Sequence, residues 1–185
     1  MTPYRVTQSY IFMKTYFTLE QKYLYAVEEV NYRDAAKGLH LLNQIIEDDP
    51  LYARAHYQLG RVYYYDIQDY QSAGFHFKTC MELEPSFPDN YFHYLSLVVF
   101  LNMATLVKKV AAKALEVPGV CESEIHNLLG LFAEQRKDWG SALKAYREAY
   151  TAVINKEDKE EIAESISRVK EKINLGQVFR YELTG

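Results

Sequence analysis

The phrase His-x-x-Leu-Gly occurs twice in the chain, as HYQLG at residues 56–60 and HNLLG at residues 126–130. Each copy leads into an apolar or aromatic run. Around both, apolar residues recur at three- and four-residue steps along nearly the whole sequence, the period of amphipathic helices. Pro50, Pro85 and Pro118 punctuate that pattern at steps of 35 and 33 residues. A repeat between about 20 and 50 residues long marks an array of stacked units rather than one irregular core.

Laid out on that period, residues 123–154 give His126, Leu129-Gly130, Ala133, Trp139, Ala142, Tyr146 and Ala149 without insertion. Residues 53–85 give His56, Leu59-Gly60, Tyr63, Tyr70, Ala73, Phe77, Cys80 and Pro85, with one residue inserted in the inner turn. Between them lies a degenerate copy, Phe92, Leu95-Ser96, Val99, Val107, Ala111, Ala114 and Pro118. It lacks one residue in the turn and one before Pro118. Residues 37–50, KGLHLLNQIIEDDP, place Gly38, Leu42, Ile45 and Pro50 in the slots of a second helix, whose first helix is expected within residues 18–30. These positions resemble the tetratricopeptide repeat family, a helix-turn-helix unit of about 34 residues. The resemblance covers roughly residues 18–154. It implies an all-α fold, a right-handed superhelical array of about four antiparallel helix hairpins over approximately 18–50, 51–85, 88–118 and 123–154.

The residue types have a packing logic. Two helices approach closely only where side chains are small, and Gly60, Ser96 and Gly130 allow it from one helix, Ala73, Ala142 and Ala149 from the other. Phe77 and Tyr146 then fill the space between hairpins. By this reading His56 and His126 hold one core slot in two copies of a unit. Each hairpin leaves an apolar face that its neighbour must cover, and the last needs a cap. Residues 157–175 are expected to be that capping helix, with Ile162, Ile166, Val169 and Ile173 in one stripe, acids at its start and Gly176 closing it. Residues 1–17 form an N-terminal arm, with Met13 an alternative start. The tail, residues 176–185, reads equally as a short strand or as a segment folded back on the array.

Composition narrows the function. The net charge is −4 and the pI about 5.8, so nothing in the overall balance draws the chain to nucleic acid or an anionic membrane. Two cysteines, Cys80 and Cys121, make no disulfide framework and suit a reducing compartment. The first residues lack the charged start, apolar run and cleavage site of a leader peptide. Residues 91–107 are apolar but broken by His93, Ser96 and Asn102, and a spanning helix needs about 20 predominantly apolar residues. The expected location is cytoplasmic.

Candidate chemistry is sparse. His76 and Cys80 share a helix face, but a zinc site wants three or four ligands, and Cys80 fits the small-residue slot. Cys121 and His126, five residues apart, do not stack on a helix, and His126 is better placed in the core. The run EDKEE at residues 157–161 reads as a solvated helix start. No phosphate loop, nucleophile elbow or metalloprotease helix occurs. The expectation is no enzyme, no cofactor and no metal.

What the family resemblance implies instead is binding of a peptide or protein on a concave face lined by the first helix of each repeat. Carried over slot by slot, it gives Arg54, Tyr57, Arg61, Tyr64 and Tyr65 from the second repeat. The third gives Asn90, His93, Leu97, Phe100 and Leu101, and the fourth Asn127, Leu131 and Glu134. Tyr and Arg are frequent interface anchors, and Arg grips a carboxylate with paired hydrogen bonds. The plainer alternative makes Arg54 and Arg61 members of surface ion pairs worth about 0–1 kcal/mol. Tyr57 and His93 stand where a chaperone-tail clamp needs basic and amide residues, which disfavours that ligand. Residues 91–101 are apolar on nearly every side, so a partner, the N-terminal arm or a second copy is expected to cover them. The function expected is a non-catalytic adaptor. Self-association through the third repeat is the alternative; an enzyme or metal protein ranks below both.

Overall fold

The computed structural model describes residues 18–182, with side chains through Leu175. Helices account for the regular structure, and no strand occurs among the described residues. The chain divides after Pro85 into two compact units.

In the first unit, α1 (Leu19–Tyr32) and α2 (Ala35–Asp48) form a hairpin, and α3 (Ala53–Arg61) and α4 (Tyr70–Leu83) form a second. Thr18 opens α1 with a capping box: its hydroxyl accepts from the Gln21 amide while the Gln21 side chain accepts from the Thr18 amide. Gly38 lets α2 press onto α1, since a Cβ there would stand 2.5 Å from Val30 Cγ2 and 2.7 Å from the Val30 nitrogen. Tyr23, Ala26, Leu41, Leu42, Ile45, Ala55 and Leu59 make one buried cluster from α1, α2 and α3. A buried Leu or Ile of this kind contributes about 1.5–3 kcal/mol.

His56 occupies the core slot expected of it. It is buried, its Nδ1 lies 3.0 Å from Nδ1 of His76, and its Nε2 lies 3.0 Å from the Pro50 carbonyl. Cys80 is fully buried.

In the second unit, α5 (Asp89–Phe100) and α6 (Ala104–Ala114) form a hairpin, as do α7 (Glu122–Gln135) and α8 (Trp139–Ala152). Helix α5 buries Tyr91, Tyr94, Leu95, Leu97, Val98 and Val99, as its near-continuous apolar sequence requires. Against α8 lies α9 (Lys156–Glu182). Ile162 and Val169 are buried, with Ile166 and Ile173 packed beside them, in a cluster with Ala142, Tyr146 and Ala149. The stripe read from the sequence is therefore the docking face of the terminal helix. Gly176 does not close α9, which continues to Glu182, so the segment read as a strand or a returning tail is helical that far. The expected N-terminal arm, residues 1–17, lies outside the described residues.

One correction concerns the opening phrase. His126 is only half-buried and lines an open hollow, whereas its counterpart His56 is sealed. The second helices explain part of the difference: α2, α4 and α8 each span 14 residues, but α6 spans 11.

Candidate functional site

The residue inserted in the second repeat does not become a loop. Helix α3 passes directly into a π-helical segment, Val62–Ile67, which ends at Gln68 with φ +61°. A π-turn holds one more residue than an α-turn, so the extra residue widens the helix instead of breaking it. Asp69 then caps α4 by accepting from the Gln71 and Ser72 amides.

Widening redirects three consecutive tyrosines. Tyr63 turns inward and stacks on the buried His76, ring centroids 5.5 Å apart and nearly parallel. Tyr64 is half-buried and meets Tyr70 edge-on at 6.1 Å. Tyr65 lies against Tyr64 at 4.5 Å and remains 48% exposed. Burial pushes both the Tyr64 and the Tyr65 hydroxyl above the usual phenol range, so both stay neutral donors.

Arg61 sits one step before this segment. Its guanidinium lies 5.8 Å from the Tyr57 ring and donates from Nη1 to Gln58 Oε1 at 3.1 Å. Gln58 is itself buried and donates to the Tyr23 hydroxyl. The Arg61 Nε is buried and has no hydrogen-bond partner. Arg61, Gln58, Val62, Tyr65 and the carboxylate of Asp66 line a hollow of about 240 Å³ together with Val30 and Asn31 of α1. The Arg61 guanidinium borders this hollow, and its N–H groups are donors suited to a carboxylate or carbonyl beside the Tyr65 ring.

The expected site residues fare unevenly. Arg61 faces the hollow, and Tyr64 packs behind Tyr65. Arg54 is exposed and pairs with Glu84 at 3.9 Å, the plain surface reading. Tyr57 is only 6% exposed and serves as the ring under Arg61 rather than as a free contact. In the second unit, Leu97 is fully buried and Asn90 likewise, so neither offers side-chain surface to a ligand. His93 and Asn127 are half-buried; Phe100, Leu101 and Leu131 are exposed. Helix α5 packs against both α6 and α7, and Asn90 and Leu97 lie on its covered sides. Glu134 also belongs elsewhere. It is buried and accepts from Arg168, Lys172 and Tyr146, holding α9 in place. No group of three or more metal-ligating side chains occurs among the described residues.

No protein-family model matches the chain, and no curated protein matches it by sequence. Solved structures do resemble it. The crystal structure of MamA protein superposes with a TM-score of 0.72 at 16% identity, covering 88% of this chain and 87% of that one. The MamA RS-1 ArsTM double mutant, and MamA 41-end from Desulfovibrio magneticus RS-1, each give 0.62 at 16% identity over 83% of this chain and 93% of theirs. At that identity the likeness establishes the fold, a helical repeat, and nothing finer. No helix among the described residues is long and apolar enough to cross a membrane.

Proposed function

We propose that the protein is a non-catalytic interaction module that holds a segment of another protein against the Arg61 hollow of its first unit. The observation that carries this reading is the buried, unpartnered Nε of Arg61 beside an exposed Tyr65. Leaving a buried donor unpaired costs about 1–3 kcal/mol, a cost that a ligand acceptor would remove. The helical-repeat fold suits the role, because each repeat presents a rigid helix face, and the repeat motifs favour a tetratricopeptide-type array. A cytoplasmic setting accords with two free cysteines.

A second reading, self-association, draws on Phe100, Leu101 and Met103, exposed apolar side chains around the turn between α5 and α6. The two separate by experiment. Arg61→Ala and Tyr65→Ala, with the thermal midpoint checked, are expected to lose partners recovered by affinity capture while the solution mass stays that of a monomer. Undiminished capture by both variants would refute the Arg61 site. A dimer dissolved by Phe100→Ser would favour self-association.

A further inference from the structure

A second hollow opens in the other unit, and it follows from the degenerate repeat. Helix α6 holds 11 residues where its counterparts hold 14, and three residues of helix are about 4.5 Å of length. In the first unit Leu59 is sealed, within the cluster that contains Leu41, Leu42 and Ile45 of α2. The matching Leu129 is only half-buried. A hollow of about 550 Å³ lies over it, floored by Val107, Leu129, Phe132, Ala133 and Ala145. That size falls within the range of ligand pockets.

The rim on the α6 side is cationic. Lys108 borders this hollow and also an adjoining one of about 400 Å³, lined by Ala104, Thr105, Lys108 and Lys109. Arg136, Lys144 and the half-buried His126 complete the basic groups of the first hollow. Its two carboxylates are Asp138, which is occupied in capping α8, and Glu148. The N-terminus of α6 points its partial positive charge at the same corner, and its N-cap residue, Met103, supplies no side-chain acceptor. An apolar floor beside a corner with two lysines and an uncapped helix start selects one kind of ligand: a bulky apolar group next to negative charge.

We propose that the hollow between α6, α7 and α8 is a second docking site, taking an acidic peptide that buries one large apolar side chain over Leu129 and sets a carboxylate at the start of α6. It stands independently of the Arg61 site. The one aromatic ring of the floor, Phe132, is 9% exposed and lies under the Arg136 guanidinium at 5.4 Å, which favours a peptide side chain over a nucleobase, since a nucleobase stacks on open aromatic faces.

The test uses the full chain and fluorescein-labelled hexapeptides with four Glu around a central pair, varied as Ala, Leu, Ile, Met, Phe or Trp. Anisotropy is expected to show at least one bulky member binding tighter than about 1 mM and at least tenfold tighter than the Ala member. Lys108→Glu should weaken it about tenfold, and so should Met103→Asp, which supplies α6 with its own carboxylate without lowering the thermal midpoint. Arg61→Ala should leave it unchanged. Binding that ignores the central pair, survives both charge changes, or is absent throughout the panel would overturn the proposal. So would tighter binding of a single-stranded RNA, or a dimer in sedimentation that Lys108→Glu dissolves.

Discussion

Gly130 lies directly beneath the ring of Tyr146: a Cβ built on it would stand 2.5 Å from the Tyr146 Cδ1. Gly60 stands in the same relation to Phe77, with 2.6 Å to its Cδ1. Both rings are essentially fully buried, so neither can swing away without displacing core neighbours. Gly130→Ala gains up to about 1 kcal/mol in helix propensity but forces overpacking that costs about 1–3 kcal/mol. A net loss of about 1–2 kcal/mol is expected in urea unfolding. Gly140→Ala is the control, because its Cβ would meet only Asp138 Oδ1 at 3.8 Å; it should be neutral or stabilising.

Glu134 is the anchor of the terminal helix. Its carboxylate accepts from Arg168 Nε and Nη2 at 2.9 and 3.0 Å, from Lys172 at 2.7 Å and from the Tyr146 hydroxyl at 2.8 Å. The Arg168 bonds, offset in part by burial and joined by Lys172 and Tyr146, hold it down to about 2. Because the native value lies below the unfolded one, this stability is present at neutral pH and lost as pH falls toward 2. Both cations are more than a third exposed, so Glu134→Gln should cost about 2 kcal/mol rather than the 3–5 of a sealed pair. If α9 is held this way, proteolysis of the Gln variant should cut first within α9. An unchanged cleavage pattern would show that the Ile162–Val169 stripe suffices alone.

How much of this was legible follows from which residues speak through period. Glycine and alanine contacts, aromatic fillers and the α9 stripe recur at helical spacing, so hairpins and packing slots could be read directly. The insertion near Tyr65 and the deletions around α6 were visible as counts, but a count does not say whether a chain makes a loop, a π-turn or a shortened helix. Gln68, Asn102 and Lys137 all adopt positive φ just before a second helix, at 61°, 52° and 59°. None is glycine and only Asn102 is of a type enriched at positive φ, so residue type gave no sign of the turns at Gln68 and Lys137. The position of Arg61 on a first helix could be read from its slot, whereas the hollow bordered by Lys108 could not, since it arises from helix length and not from a motif.

Those turns carry a prediction of their own. Asp34, Asp69 and Asp138 each cap a second helix by accepting from amides of its first turn, while Met103 leaves α6 without such a bond. Hydrogen bonds from Ser72 and Ser141 hold Asp69 and Asp138 below the usual carboxylate range. Asp138→Ala should therefore lower the thermal midpoint at neutral pH, and the difference from wild type should shrink in acid. Met103→Asp should stabilise by about 0.5–1 kcal/mol, the worth of a new N-cap. A midpoint that falls in the Met103 variant would mean that the Asn102 turn cannot present a capping carboxylate.

The buried histidine pair predicts how the first unit responds to acid. His76 is 7% exposed and faces His56 Nδ1 on one side and the Tyr63 ring on another. Burial, with a smaller contribution from the neighbouring His56, pulls His76 down from 6.5 to about 4. The unfolded chain takes up a proton as pH drops through 6.5, and the native chain does not until about 4. Stability from this group is complete above 6.5, declines between 6.5 and 4, and levels off below, a loss of at most about 3 kcal/mol. His76→Phe keeps a ring against Tyr63 and removes the titration. Whatever its absolute stability, its unfolding free energy should lose most of the slope between pH 6.5 and 4. Equal slopes in the two proteins would place the acid sensitivity in another group.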